Sequence, residues 1–487
     1  MSFIAEPVLT GSGGGGFMLL SRPGSAPRLL DGFARMPAGS FNAVADADFL
    51  AIPVDFGDTV QTFHIGRASV ATPGLMSMLF SAQQRYGRIP MREVLAPAVH
   101  AARHGITLNA LQASFIHLLK PILSSTEGCR ELHSAEGRLL RAGEPFSNPD
   151  LGNLLELLCL EGIDEMYQGD VARGIAGACQ PGGLLGMQDL AGARLVEREP
   201  LSLPALNGTL LSNPPPSSGG ALMSFSLQLF EMLRGSRPES IPTLLTECLS
   251  EAARARSSDF DEQVHLTGFA DAFLHAGRVC RHAEDLSRKL DETENNRSAE
   301  PANRHGSTTH ISVLDKDGMA VSMTTSNGEG SGIVVPGTGI HLNNMLGEED
   351  INPLGFHRMK AGETLSSMMA PSILVRKGRA SLILGSGGSN RLRGAILQVL
   401  LRHAVLGEPI EQAVHAPRLH PEGDVLDAEP GALETADEAS LIRLGWRVRQ
   451  WSDTSIYFGG VHAISIAANG SVEAAGDPRR GGAVAWA

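Results

Sequence analysis

The spacing of apolar residues changes character part-way along the chain. Over 92–106, Val94, Leu95, Ala98, Val99 and Ala102 recur on what is one face of a helix. Asp150 is placed to cap another helix, running through Leu154, Leu157 and Leu158. Pro214, Pro215 and Pro216, then two serines and two glycines, set a tight turn before an apolar helix over 221–233. Strands are expected upstream only where the glycine-rich stretch 11–16 enters Phe17-Met18-Leu19-Leu20, and near 209–212. The upstream part therefore reads as mainly helical.

From Thr308 onward the period is two. Ile311 and Val313 alternate with polar neighbours, 315–318 is a turn, and Met319, Val321 and Met323 alternate again, which predicts a β-hairpin whose first, buried strand opens with Thr308 and Thr309. Two more hairpins are predicted, 372–375 with 381–384 around Lys377-Gly378, and 461–466 with 471–475 around Asn469-Gly470. Between the two parts, every residue of 291–307 is polar, small, Gly or Pro, a composition that predicts an exposed, mobile connection. Strands and helices must share one sheet system, antiparallel in two layers with helices outside.

That abrupt start matters chemically. A threonine hydroxyl is a weak nucleophile without a base, and one base needs no second residue: its own α-amine, which titrates at about 8. The route requires Thr308 to be a chain terminus. Thr308 would attack the carbonyl of Ser307, the peptide would become an ester, and water would release it. Taken alone, a polar stretch ahead of a strand is more often an ordinary linker.

A second candidate is Gly385-Ser386-Gly387-Gly388-Ser389-Asn390, between an apolar strand and a helix with Leu392, Ala395, Ile396, Val399 and Leu400 on one face. Amides at a helix start favour negative charge, and the glycines let a substrate carbonyl approach closely enough for an oxyanion hole. A plain strand-to-helix turn with Ser389 or Asn390 as N-cap is the commoner fate of such residues. Ser366 and Ser367 either donate to a substrate carboxylate or bond to the local backbone. His310 and His341 are expected to be packed or hydrogen-bonded in place rather than to serve as bases.

The chain has 487 residues, more than one hydrophobic core usually supports, yet no linker divides it. One large two-layered unit is expected. The net charge of −13, from 40 basic and 53 acidic residues without runs, argues against nucleic acid and anionic membrane as partners and for a small-molecule or peptide substrate. Cys129, Cys159, Cys179, Cys248 and Cys280 have no metal-ligand spacing and read as buried filling. The glycine stretch lacks the ending of a phosphate loop and suits close backbone packing. No basic leader or span-length apolar window is present, so a cytoplasmic protein is expected, and nothing calls for a metal or organic cofactor.

TTHISVLDKDGMAVSMT, GSGIVVPGTGIHLNN, LSSMMAPSIL and LGSGGSNR occur in the order found in the small subunit of the gamma-glutamyltranspeptidases, which this chain resembles. GSGGGGFMLL, ATPGL, REVLAPAVHAARHGI, GGLLGMQDLA and PPPSSGG look like landmarks of the large subunit. The resemblance implies an α+β fold, the four-layer αββα sandwich of N-terminal nucleophile hydrolases, with 1–307 as the large segment and 308–487 as the small one in a single globular unit. It also implies cleavage between Ser307 and Thr308 and a heterodimer of the two resulting chains, with further oligomerisation open.

On this resemblance Gly387 and Gly388 form the oxyanion hole, and Ser366 and Ser367 contact the α-carboxylate of the glutamyl group. Ser326 and Asn327 steady the nucleophile and the substrate, and Glu348 holds the α-amine with Glu349 and Asp350 as rivals. The chain departs from the family in four places. TTSNGEGSG is short, which leaves the register of Ser326 and Asn327 open. The arginine that pairs the α-carboxylate is replaced near PAGSFN by Phe41 and Asn42, with Arg35 as a nearby substitute. Residues 348–365 are short, implying no lid over the pocket and room for bulkier acyl groups. The front is also short, so that either the start is truncated or an upstream start, with an export signal, has been lost. The activity implied is a self-processing transfer or hydrolysis of γ-glutamyl amides such as glutathione through an acyl-Thr308 intermediate. A cephalosporin (glutaryl-type) acylase with the same mechanism is the first alternative, and an unprocessed, non-catalytic binding remnant the second.

Overall fold

In the computed structural model, which describes residues 1–39, 46–55, 60–256, 258–291 and 308–487, the first apolar strand sorts its side chains between two cores. Phe17 and Leu19 enter the main core; Met18 and Leu20 enter a smaller one with Leu30, Leu75 and Met78. In chain order the strands around the site are β1 (Gly15–Ser21), β2 (Arg28–Gly32), β3 (Val196–Arg198), β4 (Leu201–Ala205), β5 (Gly208–Ser212), β6 (Thr309–Leu314), β7 (Ala320–Ser326), β8 (Ser372–Arg376), β9 (Arg379–Gly387), β10 (Gly460–Ile466) and β11 (Val472–Ala475). One sheet has the order β6-β7-β1-β2-β3 and the other β4-β5-β8-β9-β10-β11, and every pairing within both is antiparallel.

The sheets face each other where β6 and β7 lie on β9 and β10. Helix α1 (Leu75–Tyr86) covers the outer face of the first sheet. Further helices are α2 (Met91–His104), α3 (Pro149–Glu161), α4 (Ser218–Leu233), α5 (Ile241–Ala255), α6 (Ala276–Asp291) and α7 (Leu392–Ala404). Helices α4 and α7 cover the second sheet, with α5 and α6 packed against α4, which completes the α-β-β-α layering. The main core joins Phe17 and Leu19 to Ile373 and Ile383 on the second sheet and to Phe225 and Ile396 on its helices. Helices α2 and α3 belong to a separate core around Phe115, Leu151, Leu155 and Ile340. Among the described residues, no helix is long and apolar enough to cross a membrane.

The predicted hairpins form, and Lys377 and Gly378, both with positive φ (51° and 74°), make a turn whose twist suits its strands. The glycine loop is there for close packing: a Cβ on Gly14 would lie 2.2 Å from the Ser326 carbonyl oxygen. Several local expectations are corrected. Val94 is 49% exposed, and α2 instead buries Ala98, Ala101 and Ala102, small residues on a helix packed closely against α3. Asn148, not Asp150, caps α3 by accepting from the Leu151 amide at 3.1 Å; Asp150 sits in the first turn and Leu157 faces out. Helix α4 starts at Ser218, three residues early, because Gly219 and Gly220 tolerate backbone on both sides, at Met368 and Asn213. The connection over 292–307 lies outside the described residues.

Strand β6 is turned opposite to the expected way. Val313 is 45% exposed, while His310 and Ser312 face the second sheet. The layer they enter is polar and hydrogen-bonded. His310 Nδ1 lies 2.8 Å from Thr324 Oγ1 and Nε2 3.1 Å from Ser312 Oγ, and Ser312 donates to the His462 carbonyl at 3.1 Å. Ser322 donates to the Leu384 carbonyl at 2.9 Å and accepts from the Ser372 amide at 3.0 Å. A bonded polar layer is compatible with burial; an unbonded one is not.

Burial keeps these histidines neutral. It pushes His310 well below its ordinary range, His462 down to about 4, and His341, which accepts from the Gly332 amide at 3.2 Å, down to about 3. Above the ordinary histidine pKa both folded and unfolded chains are neutral and the stabilisation is complete. As pH falls below it, the unfolded chain takes protons first, costing about 1.4 kcal/mol per pH unit for each such group. The expected outcome is a Tm that drops steeply between about pH 6.5 and pH 4, with a shallower drop in His341→Gln, which keeps an acceptor for Gly332. Equal slopes in thermal melts of the two proteins would contradict this.

Candidate active site

Thr308 immediately precedes β6 and is 5% exposed. Its carbonyl oxygen accepts from Arg480 Nη1 at 3.1 Å. A Cβ on Gly387 would lie 2.2 Å from the same oxygen, so the backbones approach as closely as glycine alone allows. The next residue is held as firmly: the Thr309 hydroxyl donates to Glu6 in the N-terminal segment. Behind it, the Thr10 and Thr325 hydroxyls lie 2.9 Å apart.

In front of Thr308 is a small cleft open to solvent. Its polar lining is Thr308, Ser326, Glu348, Asp350, Ser367 and Ser389; Phe33, Met345, Ile351, Met368, Met369 and Leu392 supply the apolar wall. Ser326 ends β7, and its hydroxyl accepts from the Gly328 amide at 2.9 Å. Glu348 follows a short 3₁₀ turn, Met345–Gly347, anchored by Asn352, whose amide nitrogen donates to the Met345 and Glu348 carbonyls, each at 2.8 Å. Ser389 donates to Asp350. The Ser366–Met369 loop is fixed by the turn before α4: the Ser218 and Gly219 amides donate to the Ser367 carbonyl at 2.8 and 3.1 Å.

Of the residues marked in the sequence, Thr308, Ser326, Glu348 and Ser367 thus share one cavity, with Gly387 and Gly388 between the Thr308 carbonyl and Ser389. Of the acidic rivals, Asp350 lines the cavity and Glu349 points to solvent. Others sit elsewhere. Asn327 lies behind the cavity, donating to the His341 carbonyl at 3.1 Å. The Ser366 hydroxyl lies 3.0 Å from that of Ser218. Arg35 opens into a separate cleft with Asp31, Thr72 and Arg194, and its guanidinium donates to the Arg194 carbonyl at 2.5 Å. Neither Ser389 nor Asn390 caps a helix: Gly388 and Arg391 hold the capping positions, and Gly388 has a φ of 123° that favours glycine. Ser307, Phe41 and Asn42 lie outside the described residues.

Burial, then Asp350 and Glu329, push the Glu348 carboxyl well above the usual range. Burial also brings Arg480 down to about 10, against the pull of Glu6 and Asp477. Sequence reasoning missed Arg480, Glu6 and the Asp350–Ser389 pair. The only local signal for Arg480 is Asp477-Pro478, an N-cap followed by a first-turn proline; Asp477 accepts from the Arg479 amide at 3.0 Å and so sets the turn that presents Arg480.

The family model described as Gamma-glutamyltranspeptidase matches residues 1–487. The chain belongs to the gamma-glutamyltranspeptidase family. It is 27% identical to the "Glutathione hydrolase proenzyme" of Escherichia coli (strain K12), over 98% of this chain and 84% of that one. It is 28% identical to the "Acylase ACY 1 proenzyme" of Pseudomonas sp. (strain SE83), over 97% of this chain and 85% of that one. Its fold matches the crystal structure of a cephalosporin acylase from Bacillus halodurans with a TM-score of 0.83 at 21% identity, covering 100% of this chain and 89% of that one. The αββα architecture agrees with the fold of that neighbour.

For a member of this family the Arg480 contact yields a direct expectation. Arg480→Met leaves the Thr308 carbonyl without its charged donor and should lower kcat on a γ-glutamyl anilide by about tenfold or more with little change in KM. Arg480→Lys, which keeps the charge, should recover part of the loss. Steady-state kinetics on purified variants of matched Tm decides it; equal kcat in all three proteins would rule out a positioning role.

Proposed function

We propose that this chain is a self-processing enzyme that transfers the acyl group of γ-glutamyl amides, glutathione among them, to water or to the amine of an amino acid or peptide. The observation that carries the reading is the shared cavity of Thr308, at the head of β6, and the buried Glu348. Maturation begins with attack of the Thr308 hydroxyl on the Ser307 carbonyl. The C–O bond forms, the Ser307–Thr308 C–N bond breaks, and the nitrogen takes up the proton. Water then hydrolyses the ester, leaving a carboxylate on Ser307 and a free α-amine on Thr308. The two chains stay together because β7 pairs with β1 in one sheet and β8 with β5 in the other, each pairing joining the two segments.

In turnover the α-amine accepts the hydroxyl proton as Thr308 Oγ attacks the γ-carbonyl. The amides of Gly387 and Gly388 face the developing oxyanion, and the amine leaves with the proton as its C–N bond breaks. Attack by water or an acceptor amine on the acyl-threonine regenerates the hydroxyl. Glu348 pairs with the α-ammonium of the glutamyl group, and Ser367 donates to its carboxylate. The same machinery serves a glutaryl-type acylase, a second reading favoured by the ACY 1 relative.

Intact mass spectrometry of freshly purified and incubated protein should find two chains meeting at Ser307 and Thr308, and a single chain in Thr308→Ala. Mature protein should release nitroaniline from γ-glutamyl 4-nitroanilide. A wild-type chain that stays uncut and unreactive would establish the non-catalytic remnant instead.

A further inference from the structure

The ionisable side chains that line the cavity before Thr308 are both acids, Glu348 and Asp350. Glu348 is 6% exposed and, among the described residues, its Oε1 has no hydrogen-bond partner; Asp350 beside it is 5% exposed. Among the described residues, no lysine or arginine lines this space. Arg480 is engaged on the Thr308 carbonyl, Arg35 opens into the other cleft, and the Arg391 guanidinium lies over the Tyr457 ring at 4.2 Å from its centre.

Two ends of a γ-glutamyl group compete for this environment. Its ammonium meets a buried carboxylate with a vacant acceptor, a charge-assisted pair that replaces lost hydration. Its carboxylate loses hydration, faces two acids, and has the hydroxyl of Ser367 as its donor, that of Ser366 being engaged with Ser218. Removing the carboxylate therefore relieves a cost; removing the ammonium leaves Glu348 unpaired.

We propose that the pocket selects its acyl group by the terminal ammonium alone, and so accepts ω-amino acyl amides, 4-aminobutyryl amides first among them, while rejecting glutaryl amides. This rests on the reading of Thr308 as the acyl-accepting nucleophile. A 4-aminobutyryl group is γ-glutamyl without its carboxylate, with the nitrogen on the same carbon. A glutaryl group is γ-glutamyl without its ammonium. The two half-analogues separate the contributions of the two ends.

The experiment compares kcat/KM for γ-glutamyl, 4-aminobutyryl and glutaryl 4-nitroanilides on mature wild-type enzyme, with enzyme-free controls for lactam closure. The expected result is a 4-aminobutyryl value within about tenfold of γ-glutamyl and about a hundredfold or more above glutaryl. Glu348→Gln, once verified as processed and folded, should shrink the ratio of 4-aminobutyryl to glutaryl by about tenfold or more. A 4-aminobutyryl value more than tenfold below γ-glutamyl, or a glutaryl value equal to or above 4-aminobutyryl, overturns the inference and leaves the Thr308 mechanism standing. Failure of all three substrates on a two-chain protein, with no acyl adduct on Thr308, overturns both.

Discussion

The contact on which the site depends is the one at the Thr308 carbonyl, pressed against Gly387 and held by Arg480. It joins Thr308, just ahead of β6, to the second sheet and to the 3₁₀ turn Pro478–Arg480. Arg480 reaches it from the 3₁₀ turn Pro478–Arg480, which Asp477 initiates. Asp477 is itself bound to Arg418 and Arg479, and it accepts from the Val461 amide at 2.9 Å at the start of β10. Removing one member of such a buried ionic group leaves its partners charged and unpaired, which is far more costly than losing a surface pair. Thr308 is thus placed by a buried charge network that reaches it through Arg480.

The same logic explains the polar layer between the sheets. Elsewhere the core is mainly Leu, Ala, Ile, Phe, Met and Val, but near Thr308 it includes His310, Ser312, Ser322, Thr324 and Ser372; Ser312, Ser322 and Ser372 hydrogen-bond across the sheets, and His310 bonds Thr324 within the first. Hydrogen bonds are directional where apolar contacts are not, so this layer fixes β6 on β10 and β7 on β9 more narrowly than packing alone. Strand β6 is at the edge of its sheet, where such a constraint is most needed.

The cavity is shaped by loops from distant parts of the chain. Asn343 illustrates this: its side chain donates to the Gly13 and Ala71 carbonyls, at 2.7 and 3.0 Å, and accepts from the Ala71 and Met345 amides, at 3.0 and 3.1 Å. One asparagine ties the glycine loop, the segment before α1 and the turn carrying Glu348 together. The cavity's acids are buried by these surroundings, and burial gives Glu348 its strong demand for a cationic partner.

Alternation, turn residues and glycine placement are local properties, and they were legible: the three hairpins, the apolar start of β1 and the helix after 385–390 could be read from neighbouring residues. The motifs around Thr308, Glu348, Ser367 and Gly387 pointed to residues that do meet around one cavity. The direction in which β6 faces was not legible, because its apolar residues, Ile311 and Val313, line the outer side of an edge strand while Ser312 is satisfied by the His462 carbonyl, 150 residues further along the chain. Nor were Arg480, Glu6 or the misplacement of Arg35, since a charged side chain's partner is set by which distant backbone arrives beside it. The sequence alone determined the elements and the chemistry available, through interactions spanning a few residues. Only tertiary structure decided which charges are buried, which are paired and which face Thr308, because desolvation and long-range contact exist only once the two sheets have met.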